Sequence, residues 1–216
     1  MRNGPVWLRA GAAMFTLTAL SALVIAGCSS KGSSKSKGSQ GTPAAATPTA
    51  AAPLAQPTIN GSSFVFPDRG YAATIPDGWH ANPNSLLAGP QQIDAFFSDD
   101  TVDGVQSNIS VTCEANTTKL TTDEYVQARL KTVQALGAAD LKTLPAQTVA
   151  GTTAQVVSYS LKRQNTTIDK VDVMFVSPKC AWTVASASAP SAATQVSAKL
   201  TTFLQSFKLV DKKPPA

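Results

Sequence analysis

Three cysteines are the residues of this 216-residue chain with the most informative chemistry: Cys28, Cys113 and Cys180. Cys28 stands where an apolar run stops, directly after the small residues Ala26 and Gly27. The other two lie far downstream, within segments whose apolar and polar residues alternate. A thiol at the end of an apolar leader is placed for modification, whereas two thiols in core-forming segments are placed for pairing or burial.

The first 27 residues have the zones of an export signal, and cleavage is expected just before Cys28. Arg2 and Arg9 give a basic start, and Ala10 to Ala26 is apolar. The segment Ile25 to Cys28 resembles a lipobox, whose cysteine thiol accepts a diacylglyceryl group. We therefore expect lipid on Cys28, palmitate included, to hold the chain on the extracytoplasmic face of the cell membrane. A single-pass anchor is the alternative, since about 17 apolar residues can just span a bilayer.

The formal charge of +5 belongs to the leader and to a tether rather than to the folded part. The first 60 residues hold five of the 18 basic residues and none of the 13 acidic ones, so the remainder is neutral. Residues 28–60 are rich in Ser, Gly and Lys and then in Ala, Pro and Thr, which indicates a disordered tether. We expect a globular domain over 61–211 and a flexible end at 212–216. A nucleic-acid binder concentrates basic charge on its folded part, so no nucleic-acid partner is predicted.

The globular part reads as two groups of strands, separated by one helix and closed by another. That order predicts an α+β fold in which an antiparallel sheet carries two main helices. The expected strands cover Phe64–Phe66, Tyr71–Ile75, Ala95–Ser98, Asn108–Glu114, Thr153–Lys162, Ile168–Ser177 and Cys180–Ser188. The last three, which follow Pro145, are joined by short polar turns and predict an antiparallel meander.

Two segments have the apolar spacing of amphipathic helices. The first begins with a capping box, Thr121 and Glu124, and ends at Gly137, whereas the second begins at Ser191. The expected apolar faces are Val126, Leu130, Val133 and Leu136 in the first helix, and Val196, Leu200, Phe203, Leu204 and Phe207 in the second. Each helix should pack on the sheet through its apolar face.

Cys113 and Cys180 belong to the apolar faces of their own predicted strands, beside Val111 and Trp182. With Cys28 taken by lipid, they form an even pair in an oxidising compartment, which favours a disulfide. Closing a loop of this length stabilises a fold by about 4 kcal/mol on the chain-entropy model. Two separate buried thiols are the alternative.

Catalysis and metal binding have few candidate residues. His80 is the one histidine of the chain and stands at a strand end, and no Gly-x-Ser-x-Gly turn occurs. Asp99, Asp100 and Asp103 gather three carboxylates but lack the ligand spacing of an EF-hand loop. We therefore predict no catalytic residue, no metal and no cofactor, and interpret the three aspartates as a solvated hairpin turn.

The order of these elements resembles the PsbP-like fold, and within it the actinobacterial lipoproteins of the LpqN/LpqT type. The local motifs are Tyr71-x-x-x-Ile75-Pro76-x-Gly78-Trp79 and Ser206-Phe207-Lys208, and the resemblance covers Ser62 to Val210. It implies a binding or assembly factor without catalysis, and it supplies no catalytic residues.

Three classes of function follow in order of preference. The first is a non-catalytic binding or assembly module that docks an envelope protein through a sheet face or a helix surface such as Gln127 and Lys131. The second is a carrier of an apolar envelope lipid or small ligand, which needs a cavity between the helices and the sheet. An enzyme is the third, with His80 and the aspartates as its only visible residues.

Replacing Cys28 with alanine should abolish lipid labelling and leave an unprocessed precursor, because the peptidase needs the acylated cysteine as its substrate. Metabolic labelling with a radioactive fatty acid, followed by gel analysis, measures both effects. Normal acylation of Cys28→Ala would show that the lipid is carried elsewhere.

Overall fold

A computed structural model describes residues 56–82, 93–102 and 104–210 of the chain. The predicted signal peptide over 1–27, Cys28, the tether up to residue 55 and the end at 212–216 lie outside the described residues. The described part has two antiparallel sheets and two α-helices, which confirms the α+β class. Two sheets take the place of the single sheet that was predicted.

The described strands form a small sheet and a large one. In chain order they are β1 (Thr58–Asn60), β2 (Ser63–Phe66), β3 (Tyr71–Thr74), β4 (His80–Ala81), β5 (Ala95–Val102), β6 (Val105–Ala115), β7 (Ala139–Val149), β8 (Thr152–Arg163), β9 (Thr166–Val176), β10 (Cys180–Ser188) and β11 (Lys208–Leu209). The small sheet has the order β1-β2-β3-β11, and the large one β4-β5-β6-β10-β9-β8-β7. The predicted meander is therefore present as β8, β9 and β10.

Helix α1 (Thr122–Ala135) begins at the predicted capping box. The hydroxyl of Thr121 accepts the backbone N–H of Glu124 at 3.3 Å, and the Glu124 carboxylate accepts the N–H of Thr121 at 2.8 Å. Leu136, expected on the apolar face, is instead 37% exposed. It is the residue that ends the helix, and it lies beyond the last turn that packs on the sheet.

Helix α2 (Ala193–Ser206) follows a short 3₁₀ turn over Pro190–Ala192. The predicted start, Ser191, lies in that turn, two residues before the first residue of α2. The expected apolar residues of α2 are buried, and Phe207 directly after it is buried as well. Within the described ranges no helix is both long and apolar enough to cross a membrane.

The large sheet is covered on both faces. On one face α1 packs on β8 and β9 through Tyr125, Val126 and Val133. On the other, α2 and the small sheet enclose an aromatic core in which the ring of Tyr71 stacks on Phe207 at 5.2 Å. Every residue of β10, at the centre of this sheet, is consequently buried.

Four of the described strands were not predicted: the short strands β1, β4 and β11, and the long strand β7. β1 pairs with β2 ahead of Gly61, inside the stretch interpreted as tether. β7 is an edge strand that contains Pro145, and most of its residues are exposed. Proline is tolerated at a sheet edge because its missing N–H is not needed for pairing there. Since neither face of β7 is well buried, its sequence lacks the apolar alternation by which a strand is predicted.

A disulfide joins Cys113 of β6 to Cys180 of β10, with the Cα atoms 5.3 Å apart. In the antiparallel register Cys113 stands opposite Trp182, so Cys180 is the next residue along β10 on the same face. Both cysteines belong to the core between the large sheet and α2, as the alternation of the two strands predicts.

The carboxylate of Asp94 is a buried charge between the two sheets. Its Oδ1 lies 2.6 Å from Nε of Arg69, which belongs to the β2–β3 turn, and its Oδ2 accepts the N–H of Cys113 at 2.5 Å. Burial raises the pKa of Asp94 to about 6, although Arg69 and the bond from Cys113 act in the opposite direction. The folded state therefore binds the Asp94 proton more tightly than the unfolded chain does.

Because the pKa of Asp94 is higher in the folded state, its stabilising effect is complete at low pH and is lost as the pH rises through about 6. We expect the free energy of unfolding to be about 1 kcal/mol smaller at about pH 7.5 than at about pH 5. Urea unfolding at both pH values measures the difference. Asp94→Asn should remove this difference in the free energy of unfolding, whereas His80→Ala should leave the difference unchanged. An unchanged pH dependence in Asp94→Asn would contradict the assignment.

The disulfide is tested by counting thiols in the denatured chain that carries Cys28→Ala. We expect no titratable thiol before reduction and two after it, because Cys113 and Cys180 are bonded to each other. Two thiols in the unreduced sample would show that the pair is separate.

Candidate functional site

The residues that sequence analysis singled out for chemistry do not form a catalytic constellation in the described part. His80 is exposed in β4, where it pairs with Ser98. Asp99 lies in β5, whereas Asp103 and the side chain of Asp100 are outside the described residues. Among the residues described, no group of three or more His, Cys, Asp or Glu side chains is arranged to hold a metal ion. That the chain is not an enzyme stays a prediction.

A different set of polar side chains meets between α1 and the large sheet, and we call it the polar cluster. Its members come from α1 and from four strands: Glu114 of β6, Tyr125 and Arg129 of α1, Tyr159 of β8, Lys170 and Asp172 of β9, and Thr183 of β10.

Local geometry explains why these residues meet. Tyr125 and Arg129 are four residues apart on α1 and therefore lie on the same side of the helix. Alternation along β9 places Lys170 and Asp172 on one face of the sheet, the face that carries Met174 toward α1. Tyr159 of β8 is the direct partner of Lys170 in the register.

Hydrogen bonds link the hydroxyl groups of the polar cluster to its carboxylates. The Tyr125 hydroxyl donates to Glu114 Oε1 at 3.1 Å and lies 2.8 Å from the Thr183 hydroxyl, which is thereby left to act as the donor. The Tyr159 hydroxyl donates to Oδ2 of Asp172 at 3.1 Å. Each tyrosine thus holds one carboxylate in place.

Two buried atoms of the polar cluster have no hydrogen-bond partner: Nε of Arg129 and Oδ1 of Asp172. Arg129 forms its ion pair with Glu114, at 3.8 Å from Nη1 to Oε1. The described residues contain no ion pair between Arg129 and Asp172 within 4.0 Å. The polar cluster therefore contains one donor and one acceptor of opposite charge that are not bonded to each other.

Burial governs the protonation of the polar cluster. It raises the pKa of Tyr125 and of Tyr159 above the usual range, with the Glu114 and Asp172 carboxylates adding to the effect. Burial also lowers the pKa of Lys170, against the attraction of Asp172. For Arg129 the lowering effect of burial is outweighed by the neighbouring acidic groups, so its pKa is raised. The tyrosines are thus neutral donors at neutral pH, and Arg129 is a cation.

Small side chains lie beside the polar cluster on the same face of the sheet. Ala185 of β10 stands opposite Asp172, and Ala187 stands opposite Lys170. We call these two alanines the floor. Access from solvent is on the β6 side, where the side chain of Arg129 is 23% exposed and that of Glu114 is 50% exposed.

The polar cluster was not predicted, although part of its signal is present in the sequence. The face of β9 that carries Met174 also carries Lys170 and Asp172, and a charged pair on the apolar side of a buried strand points to polar partners. Arg129 likewise borders the apolar stripe of α1. The partners themselves come from distant segments, and no local pattern connects them.

An apolar depression lies between the small sheet and β5. Its lining includes Ile59, Phe64, Ala81, Ala95 and Phe96, and it has essentially no interior volume that a water molecule could occupy. Binding pockets for small molecules usually start at about 300 Å³, so this depression does not accommodate a lipid.

No family model and no curated protein matches the chain. Among solved structures it is similar to LpqN of Mycobacterium tuberculosis, described as involved in cell envelope biogenesis, with 12% identity and a TM-score of 0.47 over 65% of this chain and 83% of LpqN. It is also similar to cyanobacterial PsbP from Synechocystis, with 17% identity and a TM-score of 0.48 over 76% of this chain and 98% of PsbP.

A third similar structure is a Pseudomonas aeruginosa protein of unknown function, described as a putative regulator, with 14% identity and a TM-score of 0.41 over 59% of this chain and 83% of that one. The PsbP-like fold and its LpqN-type member, which the sequence resemblance names, are therefore both among the structures that this chain is similar to. At these identities and TM-scores we take nothing about function from them.

Proposed function

We propose that the chain is a lipid-anchored extracytoplasmic binding module of the cell envelope, without catalysis of its own, which contacts its partner at the polar cluster. The observation that carries the proposal is the pair of unpartnered buried atoms, Nε of Arg129 and Oδ1 of Asp172. Lipid on Cys28 and the tether would hold the site at the membrane surface, with a mean reach of about 30 Å for a flexible tether.

Unpartnered buried polar atoms are costly. Leaving one donor or acceptor without a partner costs about 1 to 3 kcal/mol, and more where the group is charged. Asp172 is 2% exposed, so neither solvent nor another side chain of the described part offsets that cost at Oδ1. Each buried group without a partner calls for an explanation, and a ligand that supplies the missing bond is one such explanation.

The chemistry of the polar cluster suits recognition better than catalysis. A general acid or base works best with a pKa near the operating pH, and burial moves both tyrosines away from it. The carboxylate of Asp172 is held by Tyr159 through Oδ2, which leaves Oδ1 as a fixed acceptor. Fixed donors and acceptors provide orientation and specificity in a binding site.

The alternative is a carrier of an apolar envelope lipid or small ligand. The observation that bears on it is the apolar depression beside β5, which has essentially no interior volume. A lipid chain requires a pocket of several hundred Å³, on the order of 300 Å³ or more. The polar cluster therefore supports the first proposal more strongly.

The proposed function is tested by photocrosslinking in cells. Ala128 is exposed and lies three residues from Tyr125, on the flank of α1 that borders the polar cluster, whereas Gln127 is exposed on the outer side of the same helix. A benzophenone amino acid at Ala128 should capture an envelope component, and the same group at Gln127 should not. Both products are compared by mass spectrometry after purification of the lipoprotein.

Arg129→Gln in the chain labelled at Ala128 provides the control, and it should remove the captured species while the melting temperature stays nearly unchanged. Equal capture from Ala128 and Gln127, or capture that ignores Arg129, would contradict a binding site at the polar cluster. Capture from Gln127 alone would instead locate the partner on the outer face of α1.

A further inference from the structure

We propose that the polar cluster binds a small zwitterionic group, in which an anionic group and an ammonium group are a few bonds apart. This inference rests on the proposed function and names its ligand class. The anionic group would accept from Nε of Arg129, and the ammonium group would donate to Oδ1 of Asp172, so both unpartnered atoms would be bonded.

The charges of the polar cluster select against simpler ligands. An anion alone would be attracted by Arg129 and Lys170 but repelled by the carboxylate of Asp172. A cation alone would be attracted by that carboxylate but repelled by Arg129 and Lys170. A neutral ligand could form hydrogen bonds but would bring no charge opposite to that of Arg129 or of Asp172. A zwitterion offers each charge its opposite without adding net charge to the site.

The two unpartnered atoms are also not bonded to each other. Arg129 and Asp172 make no ion pair within 4.0 Å among the described residues, so a ligand can bond to both of them without breaking an ion pair between them. Asp172 is fixed by the bond from Tyr159, and Arg129 by its pairing with Glu114. A site whose two ends are already fixed loses little entropy when it binds.

The floor consists of small side chains beside both charges. Ala185 and Ala187 stand opposite Asp172 and Lys170 across β10 and β9, so a larger side chain there would crowd these two groups. The head of an α-amino acid or a phosphoethanolamine group carries both charges on only a few heavy atoms. These two sources share the recognised chemistry, and they differ in whether the anionic group is a carboxylate or a phosphate.

The test is equilibrium dialysis of the full lipoprotein in non-ionic detergent against radiolabelled glycine and, in parallel, radiolabelled phosphoethanolamine. Acetate and methylammonium, each carrying half of the zwitterion, are used as competitors. We expect saturable binding of a zwitterion. Acetate and methylammonium should each bind with an affinity at least about tenfold lower, because each lacks one charge-assisted hydrogen bond. The tighter of glycine and phosphoethanolamine identifies the source.

Variants locate the binding. Asp172→Asn and Arg129→Gln should each weaken binding about tenfold, and Ala187→Leu should weaken it by filling the floor without touching either charge. Gln127→Ala, on the outer side of α1, should bind as the unmodified chain does. Melting temperatures establish whether each variant is folded. If a variant does not fold, competition by acetate and methylammonium in the unmodified chain still tests whether the site prefers a zwitterion.

Absence of saturable binding by either zwitterion would overturn the inference, as would acetate or methylammonium that competes as well as glycine. Binding that survives Asp172→Asn and Ala187→Leu in folded protein would place it elsewhere and overturn the inference too. Capture from Ala128 without zwitterion binding would leave the binding module intact and remove only this ligand class.

Discussion

The buried carboxylate of Asp94 is the constraint on which the arrangement of the two sheets depends. Removing a charge from water costs several kcal/mol unless a counter-charge and hydrogen bonds replace the solvent. Arg69 and the N–H of Cys113 provide these at 2.6 and 2.5 Å. Arg69 belongs to the turn of the small sheet, and Cys113 is tied to β10 by the disulfide with Cys180. One ionisable group thus fixes the small sheet, the entry to β5 and the centre of the large sheet in one geometry.

The same electrostatic rule has a different outcome on the other face of the large sheet. Asp94 has both oxygens bonded, whereas Asp172 bonds Tyr159 through one oxygen and leaves the other unpartnered. Both carboxylates are nearly inaccessible to solvent, so the difference is one of partners rather than of exposure. The first arrangement resembles a structural clamp, because nothing is left to bind. The second retains bonding capacity at a cost to stability, which is the pattern of a recognition site.

Local patterns predicted much of this fold and little of its candidate site. The capping box at Thr121 is a contiguous motif whose geometry the backbone alone determines, and it was predicted correctly. β7 was missed because a largely exposed edge strand with Pro145 has no reason to alternate. The polar cluster could not be derived in the same way, because only the register of β6, β10 and β9 places Glu114 and Asp172 on the same face of the sheet. Pairing across three strands is a tertiary property that no window of sequence contains.

Position explains why the polar cluster lies where it does. α1 covers β8 and β9, while the neighbouring part of the same face, over β6 and β10, carries the small residues of the floor. If the polar cluster served stability alone, larger apolar residues at Ala185 and Ala187 would bury more surface, at about 25 cal/mol for each Å² removed from water. The chain instead has alanine at both positions, beside a carboxylate oxygen without a partner, and this is the arrangement that the proposed ligand site requires.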